Sequence, residues 1–190
     1  FKQLSGDEQD SVKVLCLNNL KQIAMLLTKE ENKTLTLPII IGATEDKSWK
    51  IRLALAKNFA ALAEAFGKEI TDISLIQIFT TLLKDAETDV RIAAVQSLVT
   101  FIKTISVDKL SILIPHIQTL AKDHSGPVRS DICNVIASII PLLGRDVSNS
   151  KLLPSVLELI EDKDATVKIS CVKSINQFAA VFGPELINPL

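Results

Sequence analysis

The residues best suited to chemistry are an aspartate and a basic residue that recur together along the chain. The aspartates are Asp7, Asp46, Asp85, Asp123 and Asp162, at intervals of 39, 39, 38 and 39 residues. Four variable residues, a β-branched residue and then a lysine or arginine follow each one. These pairs could line a charged groove, or they could form hydrogen bonds that tie one turn to the next. Because the signs alternate and buried charges are rarely unpaired, we expect the structural ladder.

The other reactive side chains lack partners at the spacing of a disulfide framework or a metal site. The three cysteines, Cys16, Cys133 and Cys171, are odd in number and widely separated, which favours a reducing compartment. They stand at small packing positions, and we expect Cys16 and Cys171 to lie too far apart to bond. His116 and His124 have no companion ligands at helical or loop spacing. We therefore predict no metal site.

Sequence motifs of the common enzyme classes are missing. The chain has no G-x-S-x-G elbow, no phosphate-binding loop, no G-x-G-x-x-G and no H-E-x-x-H. Isolated carboxylates such as Glu64 and Glu158 are typical of solvated helix faces. We predict that the chain is not an enzyme and that it has no catalytic residues and no cofactor.

Composition argues against nucleic acid and membranes as partners. The chain has 21 lysines and arginines against 22 aspartates and glutamates, so it offers no general attraction to phosphate or anionic lipid. One tryptophan and no tyrosine leave little to stack on bases. No uninterrupted apolar run approaches the roughly 18 residues of a membrane span, and no secretory signal is visible. We expect a soluble protein of the cytoplasm, with the nucleus as a second location.

Long α-helices must follow the aspartate turns. From each β-branched residue, apolar residues recur at offsets 4, 8, 11 and 15, which is one stripe of an α-helix. Gly67, Gly144 and Gly183 end three of these helices, where a left-handed C-cap suits glycine. Four polar residues are predicted to cap the helix starts: Asp10, Ser48, Ser125 and Asp164.

Shorter apolar segments precede the last four aspartates, and they predict a second helix in each repeat. These segments are 35–44, 73–84, 110–122 and 152–161. Pro38, Pro115 and Pro154 each stand eight residues before their aspartate, with Gln77 at the corresponding place in the third unit. A proline there is expected to start or bend the helix. No segment has the pattern of a strand.

Two helices repeating about every 39 residues are typical of an all-α superhelix, the HEAT or armadillo solenoid, and two helices favour HEAT. The predicted organisation is one solenoid over 1–190. It contains a partial repeat at 1–28, repeats at 33–67, 72–106, 109–144 and 150–183, and the start of a further repeat at 185–190. Because both ends fall within a repeat, we expect a piece of a longer solenoid.

Trp49 departs from the repeat. The other units have Asp10, Thr88, Gly126 and Ala165 at its position, so the fold does not require an aromatic side chain there. Two interpretations stay open: the indole covers the adjoining turn, or it anchors a partner.

Three segments resemble consecutive units of one known family. They are Asp7-Glu-Gln-Asp-Ser-Val12, Glu45-Asp-Lys-Ser-Trp-Lys-Ile-Arg52 and Gly67-Lys-Glu-Ile-Thr71. The family is the 65 kDa regulatory (A-type) scaffold of serine/threonine protein phosphatase 2A, in its middle repeats. Lys13 and Lys50 replace an arginine that is usual in the family, and Lys68 replaces a proline. A lysine at position 50 loses the bidentate contacts that arginine makes.

This resemblance implies a non-catalytic scaffold that holds the regulatory and catalytic subunits of the phosphatase together. In the family, B-type regulatory subunits dock on turns of the early and middle repeats, and the catalytic subunit docks on the last ones, which would lie outside this chain. Carried over by position, the resemblance implies that the regulatory subunit contacts Ser48, Trp49 and Lys50, with Asp46 and Lys47 beside them. The neighbouring turns would add Glu8, Asp10, Glu87, Thr88 and Asp89.

Two other functions fit the sequence less well than the scaffold. An importin-type HEAT transport receptor would favour longer and more irregular repeats than the regular interval seen here. A HEAT-like DNA glycosylase or lyase would need a basic or aromatic channel containing one carboxylate, and the solvent sides of the long helices have too little of either. The scaffold is therefore the preferred interpretation.

Overall fold

The computed structural model describes residues 1–183 and 186, and every regular element in that part of the chain is helical. The expectation of an all-α protein is confirmed for these residues. Contacts between residues group the chain into two compact units, Phe1–Ser106 and Val107–Leu190. The further repeat predicted at 185–190 lies outside the described residues, apart from Leu186, which is buried.

Long and short helices alternate in the first unit. In chain order they are α1 (Lys2–Ser5), α2 (Asp10–Leu26), α3 (Lys29–Glu31), α4 (Leu37–Thr44), α5 (Trp49–Phe66), α6 (Lys68–Ile70), α7 (Ile76–Leu82) and α8 (Thr88–Phe101). The long helix α5 packs between α2 and α8, while α4 and α7 pack on α5 and on each other. The unit is therefore two layers of helices, with the aspartate turns joining one layer to the other.

Aromatic and aliphatic side chains fill the space between the layers. Phe59 on α5, Phe79 on α7 and Phe101 on α8 are fully buried, with ring centroids 4.3 to 5.7 Å apart. The predicted apolar stripe is confirmed eight residues past the β-branched residue of each turn, where Leu20 and Leu98 are also fully buried. Burial of such side chains provides most of the stabilisation of the hairpins.

The second unit repeats this arrangement. Its helices are α9 (Leu110–Leu120), α10 (Gly126–Leu143), α11 (Arg145–Lys151), α12 (Leu153–Ile160), α13 (Ala165–Lys173) and α14 (Ile175–Phe182). The long helix α10 packs against α13 and contacts α9 and α12. The sequence predicts one continuous last helix, but it is interrupted between α13 and α14. There the amide of Ser174 is shared by the carbonyls of Ser170 and Cys171, which tightens the turn.

The short helices of the first unit begin earlier than predicted. Helical backbone starts at Lys29 and Lys68, and each start passes through one π-helical turn, Asn32–Thr36 or Thr71–Leu75, before α4 or α7. The prediction placed these starts at residues 35 and 73, because the preceding residues are polar and carry no apolar periodicity. A π turn adds one residue to the ordinary helical turn, which shifts the face that the helix presents.

Two of the predicted prolines lie near the start of a short helix. Pro38 and Pro154 are the second residue of α4 and α12, but helical backbone already precedes Pro38 in the π turn Asn32–Thr36. Pro115 instead lies inside α9, which continues through it. The third repeat has Gln77 in place of proline and still contains a π turn. The π turn therefore does not depend on the proline.

One polar side chain binds the end of each of three long helices. Asn32 donates a hydrogen bond to the Ala24 carbonyl at 2.8 Å, and Thr71 donates one to the Ala63 carbonyl at 3.1 Å. In the second unit the Ser148 hydroxyl donates to the carbonyl of Ile140 at 3.2 Å. Each donor lies eight residues after its acceptor and is buried. The carbonyls of Ala24 and Ala63 also accept the backbone amides of Leu27 and Gly67, so the side chain adds a second bond at the helix end.

Gly67, Gly144 and Gly183 end the helices that glycine was predicted to end. Their φ angles are 78°, 79° and 82°, as expected for glycine, but their ψ angles lie near 180°. The predicted left-handed C-cap is therefore wrong in detail, since that conformation has a ψ of about 45°. The observed region is accessible essentially only to glycine, and it extends the chain directly into the next helix.

Among the described residues, α10 alone has the length and apolar composition that a membrane span requires. Nine of its side chains are buried in the second unit, and it carries Arg129 and Asp131. The apolar character of α10 is accounted for by its central place in the packing of that unit.

Candidate protein-binding surface

Each aspartate of the repeat organises its own turn. The carboxylates of Asp7, Asp46, Asp85, Asp123 and Asp162 each accept a hydrogen bond from the backbone amide two residues later, at 2.8 to 2.9 Å. An aspartate favours this local turn because its short side chain reaches the next exposed amide. The same residue type at the same place therefore sets the same bend five times.

The arginine that follows binds the carbonyls of the turn. Arg52 donates to the Asp46 carbonyl at 2.8 Å, and Arg91 donates to the Asp85 carbonyl at 2.8 Å. In the second unit Arg129 donates to the carbonyl of Asp123 at 2.7 Å. These three turns thus have a backbone amide and a carbonyl paired with side chains of the repeat itself.

A second set of bonds joins consecutive turns within each unit. Lys13 pairs with Asp46 at 2.9 Å, and Arg52 pairs with Asp85 through Nε at 2.6 Å and Nη2 at 3.0 Å. Arg129 and Asp162 form the same bidentate pair in the second unit, at 2.6 and 2.9 Å. The predicted ladder is confirmed within the units. Where a lysine replaces the arginine, at Lys13, the pair has a single bond.

The aspartate carboxylates that accept both a backbone amide and a basic side chain have lowered pKa values. Burial opposes the ionisation of Asp85, but hydrogen bonds from Arg52 and from the Glu87 amide outweigh it and lower the pKa of the carboxyl. The pKa of Asp46 is lowered in the same way, against its burial, by Lys13 and the Ser48 amide. For Asp162 the bond from Arg129 is the main reason that the pKa is lowered. These carboxylates are charged in the folded protein and are committed to the fold.

Three of the predicted site residues are therefore occupied in structural bonds. Asp46 binds Lys13 and the Ser48 amide, and the Ser48 hydroxyl donates to Asp10 at 2.5 Å. Ser48 lies at the predicted N-cap position of α5, but its side chain does not cap the helix. The same holds for Ser125 at α10, whereas Asp164 caps α13 by accepting from the Thr166 amide. Asp10 is the first residue of α2 rather than its cap.

The other predicted site residues are mostly exposed on the same three turns. Trp49, the first residue of α5, has 37% of its surface exposed, although aromatic side chains of this size are usually buried. Thr88 is half-buried and accepts a hydrogen bond from Arg91. We call the exposed members the docking edge: Glu8, Lys47, Trp49, Lys50, Glu87 and Asp89.

The charges of the docking edge follow an order along the turns. The first turn presents the acidic Glu8, the second presents Lys47 and Lys50 around the indole, and the third presents Glu87 and Asp89. No ion pair between described residues involves Lys47 or Lys50. An apolar centre with a charged rim is the usual composition of a protein interface.

Among residues 1–183 and 186, no cluster of three or more histidine, cysteine, aspartate or glutamate side chains has an arrangement that could hold a metal ion. The docking edge also presents no cysteine, serine or histidine positioned as a nucleophile with a base. Its chemistry is that of binding through shape, apolar contact and charge.

Comparison with known proteins identifies the repeat. A family model described as PPP2R1A-like HEAT repeat matches residues 68–144, and a model described as HEAT repeat matches residues 36–66 and 152–182. Together these matches span most of the chain. The chain belongs to the HEAT-repeat family.

Curated relatives of this HEAT-repeat chain include phosphatase regulatory subunits. The beta isoform of the human serine/threonine-protein phosphatase 2A 65 kDa regulatory subunit is 32% identical over 124 residues, which is 63% of this chain and 21% of that protein. The Drosophila melanogaster PP2A 65 kDa regulatory subunit is 33% identical over 182 residues, 95% of this chain and 30% of that protein. Rat serine/threonine-protein phosphatase 4 regulatory subunit 1 is 31% identical over 157 residues, 76% of this chain and 16% of that protein.

These relatives bear on two of the predictions. The resemblance to the 65 kDa regulatory subunit of protein phosphatase 2A is confirmed at about 30% identity. The prediction that the chain is not an enzyme is confirmed as well, because these relatives are regulatory subunits and the matching model is a HEAT repeat. The chain spans less than a third of the length of each relative.

Solved structures confirm the α-solenoid class. Cex1p superposes with a TM-score of 0.77 at 18% identity, covering 94% of this chain and 35% of that one. Kap121p superposes with a TM-score of 0.71 at 17% identity, covering 99% of this chain and 20% of that one. At this identity the likeness concerns the fold.

Sequence reasoning missed two features of the HEAT repeats. The buried donors Asn32, Thr71 and Ser148 differ in residue type, so only their common position, eight residues beyond a helix-end carbonyl, could have revealed them. The contact between Cys133 and Cys171 was also missed, although the two residues lie one repeat interval apart.

Proposed function

We propose that this HEAT-repeat chain is part of a non-catalytic scaffold of a serine/threonine phosphatase, and that it binds a regulatory subunit through the docking edge. The catalytic subunit would bind repeats outside the chain. The observation that carries the proposal is the exposed Trp49, placed on a turn whose structural bonds are all made by other residues.

The fold does not require an indole at position 49. At the same place in the other repeats of the first unit stand Asp10 and Thr88, and those turns form the same Asx-type bend. A large aromatic group held partly in water is unfavourable unless it is covered by something else. Tryptophan is also the residue type most enriched among the side chains that dominate interface binding energy.

The charges around Trp49 indicate the kind of partner surface. Lys47 and Lys50 lie on both sides of the indole, and acidic side chains lie on the turns before and after. The complementary surface has an apolar pocket with an acidic rim, and basic groups further out on both sides. Such an alternation fixes the orientation of the partner and accelerates association more than it adds affinity.

The curated relatives support a phosphatase over the alternative functions. They are named as regulatory subunits of phosphatases 2A and 4, whereas the likeness to Kap121p concerns the fold alone. A transport receptor and a DNA glycosylase or lyase have no comparable support. We place the assembly in the cytoplasm, with the nucleus as a second location.

A binding measurement with Trp49→Ala tests the proposal. In the intact protein that contains this chain, we expect the Kd for a phosphatase 2A regulatory subunit to rise roughly tenfold or more, because a buried hot-spot tryptophan contributes at least about 1.4 kcal/mol. Met25→Ala removes an exposed apolar side chain from α2, away from the docking edge, and is expected to leave Kd unchanged.

Thermal unfolding of the same variants separates binding from packing. The proposal predicts that Trp49→Ala keeps the unfolding midpoint of the parent. An unchanged Kd together with a lower midpoint would instead assign Trp49 to internal packing and overturn the proposal. Lys47→Glu combined with Lys50→Glu is expected to slow association, and the difference should shrink as salt is raised.

A further inference from the structure

Two cysteines face each other between consecutive repeats of the second unit. Cys133 on α10 and Cys171 on α13 have their Sγ atoms 3.0 Å apart. Both side chains are buried, with 0% and 1% of their surface exposed. A disulfide bond is about 2.05 Å long, so the two sulfurs need to approach by only about 1 Å to form one.

Neighbouring bonds hold the two helices in register at this point. Close to the cysteines, the hydroxyl groups of Ser130, three residues before Cys133, and Ser170, one residue before Cys171, lie 2.7 Å apart and again join α10 to α13. The bidentate pair of Arg129 and Asp162 fixes the start of α10 to the turn that precedes α13. The juxtaposition of the sulfurs therefore results from packing and bonding over the whole contact.

The fold does not require sulfur at these two positions. In the repeat register, Cys133 lies five residues and Cys171 four residues past the β-branched position. Across the two corresponding helix contacts of the first unit, these offsets are filled by buried apolar residues: Leu17 with Leu55, and Ala56 with Ala94. The pair of thiols is thus particular to the second unit.

The two thiols share one hydrogen bond, and either sulfur can be its donor. The bond to Cys171, and then burial, raise the pKa of Cys133. Since the thiolate is the reactive form, oxidation begins at whichever of the two thiols ionises.

We propose that Cys133 and Cys171 are a reversible disulfide site, which a peroxide oxidises to link the fourth and fifth helical hairpins covalently. In the first step the thiolate of one of the two cysteines attacks one peroxide oxygen, and the O–O bond breaks. The hydroxide that leaves takes up a proton and becomes water, and that cysteine becomes a sulfenic acid. In the second step the sulfur of the other cysteine attacks the sulfenic acid sulfur and expels hydroxide, which becomes water with the proton lost from the attacking thiol. One peroxide is reduced to two water molecules, and two thiols are oxidised to one disulfide.

Small oxidants are favoured by the burial of the site. Neither sulfur is accessible in the closed contact, so an oxidant enters only when α10 and α13 separate locally. Hydrogen peroxide needs a smaller opening than an aromatic disulfide reagent. We therefore expect peroxide to form the bond at concentrations where the bulky reagent leaves both thiols intact.

Peptide mapping of the oxidised chain is the direct test. The whole chain is treated with hydrogen peroxide, alkylated in denaturant and digested with trypsin without reduction. We expect a linked species of peptides 130–145 and 169–173, and a fall from three free thiols to one. Dithiothreitol is expected to restore all three. The oxidised chain should also unfold at a temperature several degrees higher, because the cross-link restricts the unfolded state.

Three single variants provide the controls. Cys133→Ser and Cys171→Ser should each abolish the linked peptide, while Cys16→Ser should preserve it and leave no free thiol after oxidation. Cys16 is a suitable reference because it is also buried but belongs to the first unit.

Several outcomes would contradict the proposal. They are a sulfinic acid at Cys133 or Cys171 without a linked peptide, a link that forms only after the chain is unfolded, and a link that involves Cys16 or a second molecule. None of these measurements uses a phosphatase subunit, so failure of the disulfide site and failure of the proposed scaffold function are distinguished.

Discussion

The aspartate of each turn is the residue on which the repeat depends most. One carboxylate oxygen of Asp85 accepts the Glu87 amide, and both oxygens bind the guanidinium of Arg52. The carboxylate is largely buried, at 6% exposure of its side chain. Local bending and connection to the preceding turn therefore rely on the same charged group, which water cannot solvate in the folded state.

Removing the base from this pair should destabilise the first unit. Arg52→Ala leaves the Asp85 carboxylate buried with one partner fewer, so we expect the free energy of unfolding to fall by about 2–3 kcal/mol. Urea denaturation followed by circular dichroism measures the change.

An exposed ion pair provides the comparison for Arg52. Lys33 pairs with Glu30 on the surface, and Lys33→Ala is expected to cost less than about 0.5 kcal/mol. If Arg52→Ala and Lys33→Ala had equal effects, the ladder would be incidental rather than structural.

Pattern alone predicted the ladder but not the details of individual side chains. The alternating Asp and Arg positions recur at one interval, so their pairing could be inferred without coordinates. Ser48 was expected to cap α5, but its hydroxyl is drawn to Asp10 on the preceding turn. That competition is between residues 38 positions apart, which a local capping rule does not consider. Cys133 and Cys171 were missed for the same reason.

At the scale of the helix, the decisive positions are the ends. A glycine with positive φ turns the chain out of α10 and directly into α11, and a buried hydroxyl from Ser148 binds the carbonyl of Ile140. Without the glycine and this bond, a helix as apolar as α10 would continue further or would fray at its end. The joint between two hairpins is therefore defined by a backbone conformation and one side-chain bond.

Two glycines in different conformations should respond oppositely to alanine. Gly144 has a φ of 79° and a ψ of 164°, a region that disfavours any Cβ, so Gly144→Ala is expected to cost about 1–3 kcal/mol. Gly42 lies inside the helix α4, and a Cβ added there would meet no atom within 4 Å. Gly42→Ala is therefore expected to raise the free energy of unfolding by about 0.5–1 kcal/mol. Denaturant titration of both variants measures the difference. Equal destabilisation by both would show that the conformation of Gly144 is not strained for alanine.

Long helices were more predictable than short ones. The stripe of apolar residues defines α5 and α10 within one or two residues, because burial of that stripe is what keeps them helical. The short helices begin in polar segments and pass through π turns, whose extra residue breaks the apolar period. Periodicity therefore marks where these helices pack, and it does not mark where they begin.

For the molecule as a whole, contacts group the chain into two compact units, each with its own buried side chains. The aromatic cluster of Phe59, Phe79 and Phe101 unites three helices of the first unit. Repeat proteins derive their stability from each repeat and its nearest neighbours, so damage in one region is not shared equally by the chain.

Phe79→Ala should expose this regional stability. Loss of a fully buried ring is expected to cost about 3–5 kcal/mol, and amide hydrogen exchange should accelerate throughout residues 1–106 more than in residues 107–183. Ile73→Ala removes a side chain that is 73% exposed in the same unit and should change neither region. Uniform acceleration over the whole chain would mean that the two units unfold as one.

The class of fold and the phosphatase resemblance could both be recognised from the sequence, since they rest on a period and on one unusual turn around Trp49. The docking edge was predicted only in outline. Ten residues were expected to contact a partner, and that stays a prediction for all ten. In the structure Asp10, Asp46 and Ser48 make hydrogen bonds within the turns. Side-chain exposure distinguishes these three residues from the docking edge. It depends on the neighbouring turns, so the sequence at one position does not predict it.

The reciprocal pairing of the turns has a consequence for how such chains change length. Within each unit, the base of one hairpin pairs with the aspartate of the next hairpin in the same register. Tandem duplication of one whole repeat would therefore add a hairpin whose aspartate and basic residue both pair with the neighbouring hairpins, without any compensating substitution. An insertion of any other length would leave one aspartate and one basic residue without their ion-pair partners. The pairing therefore favours changes of length in whole repeats, in keeping with the regular interval of about 39 residues.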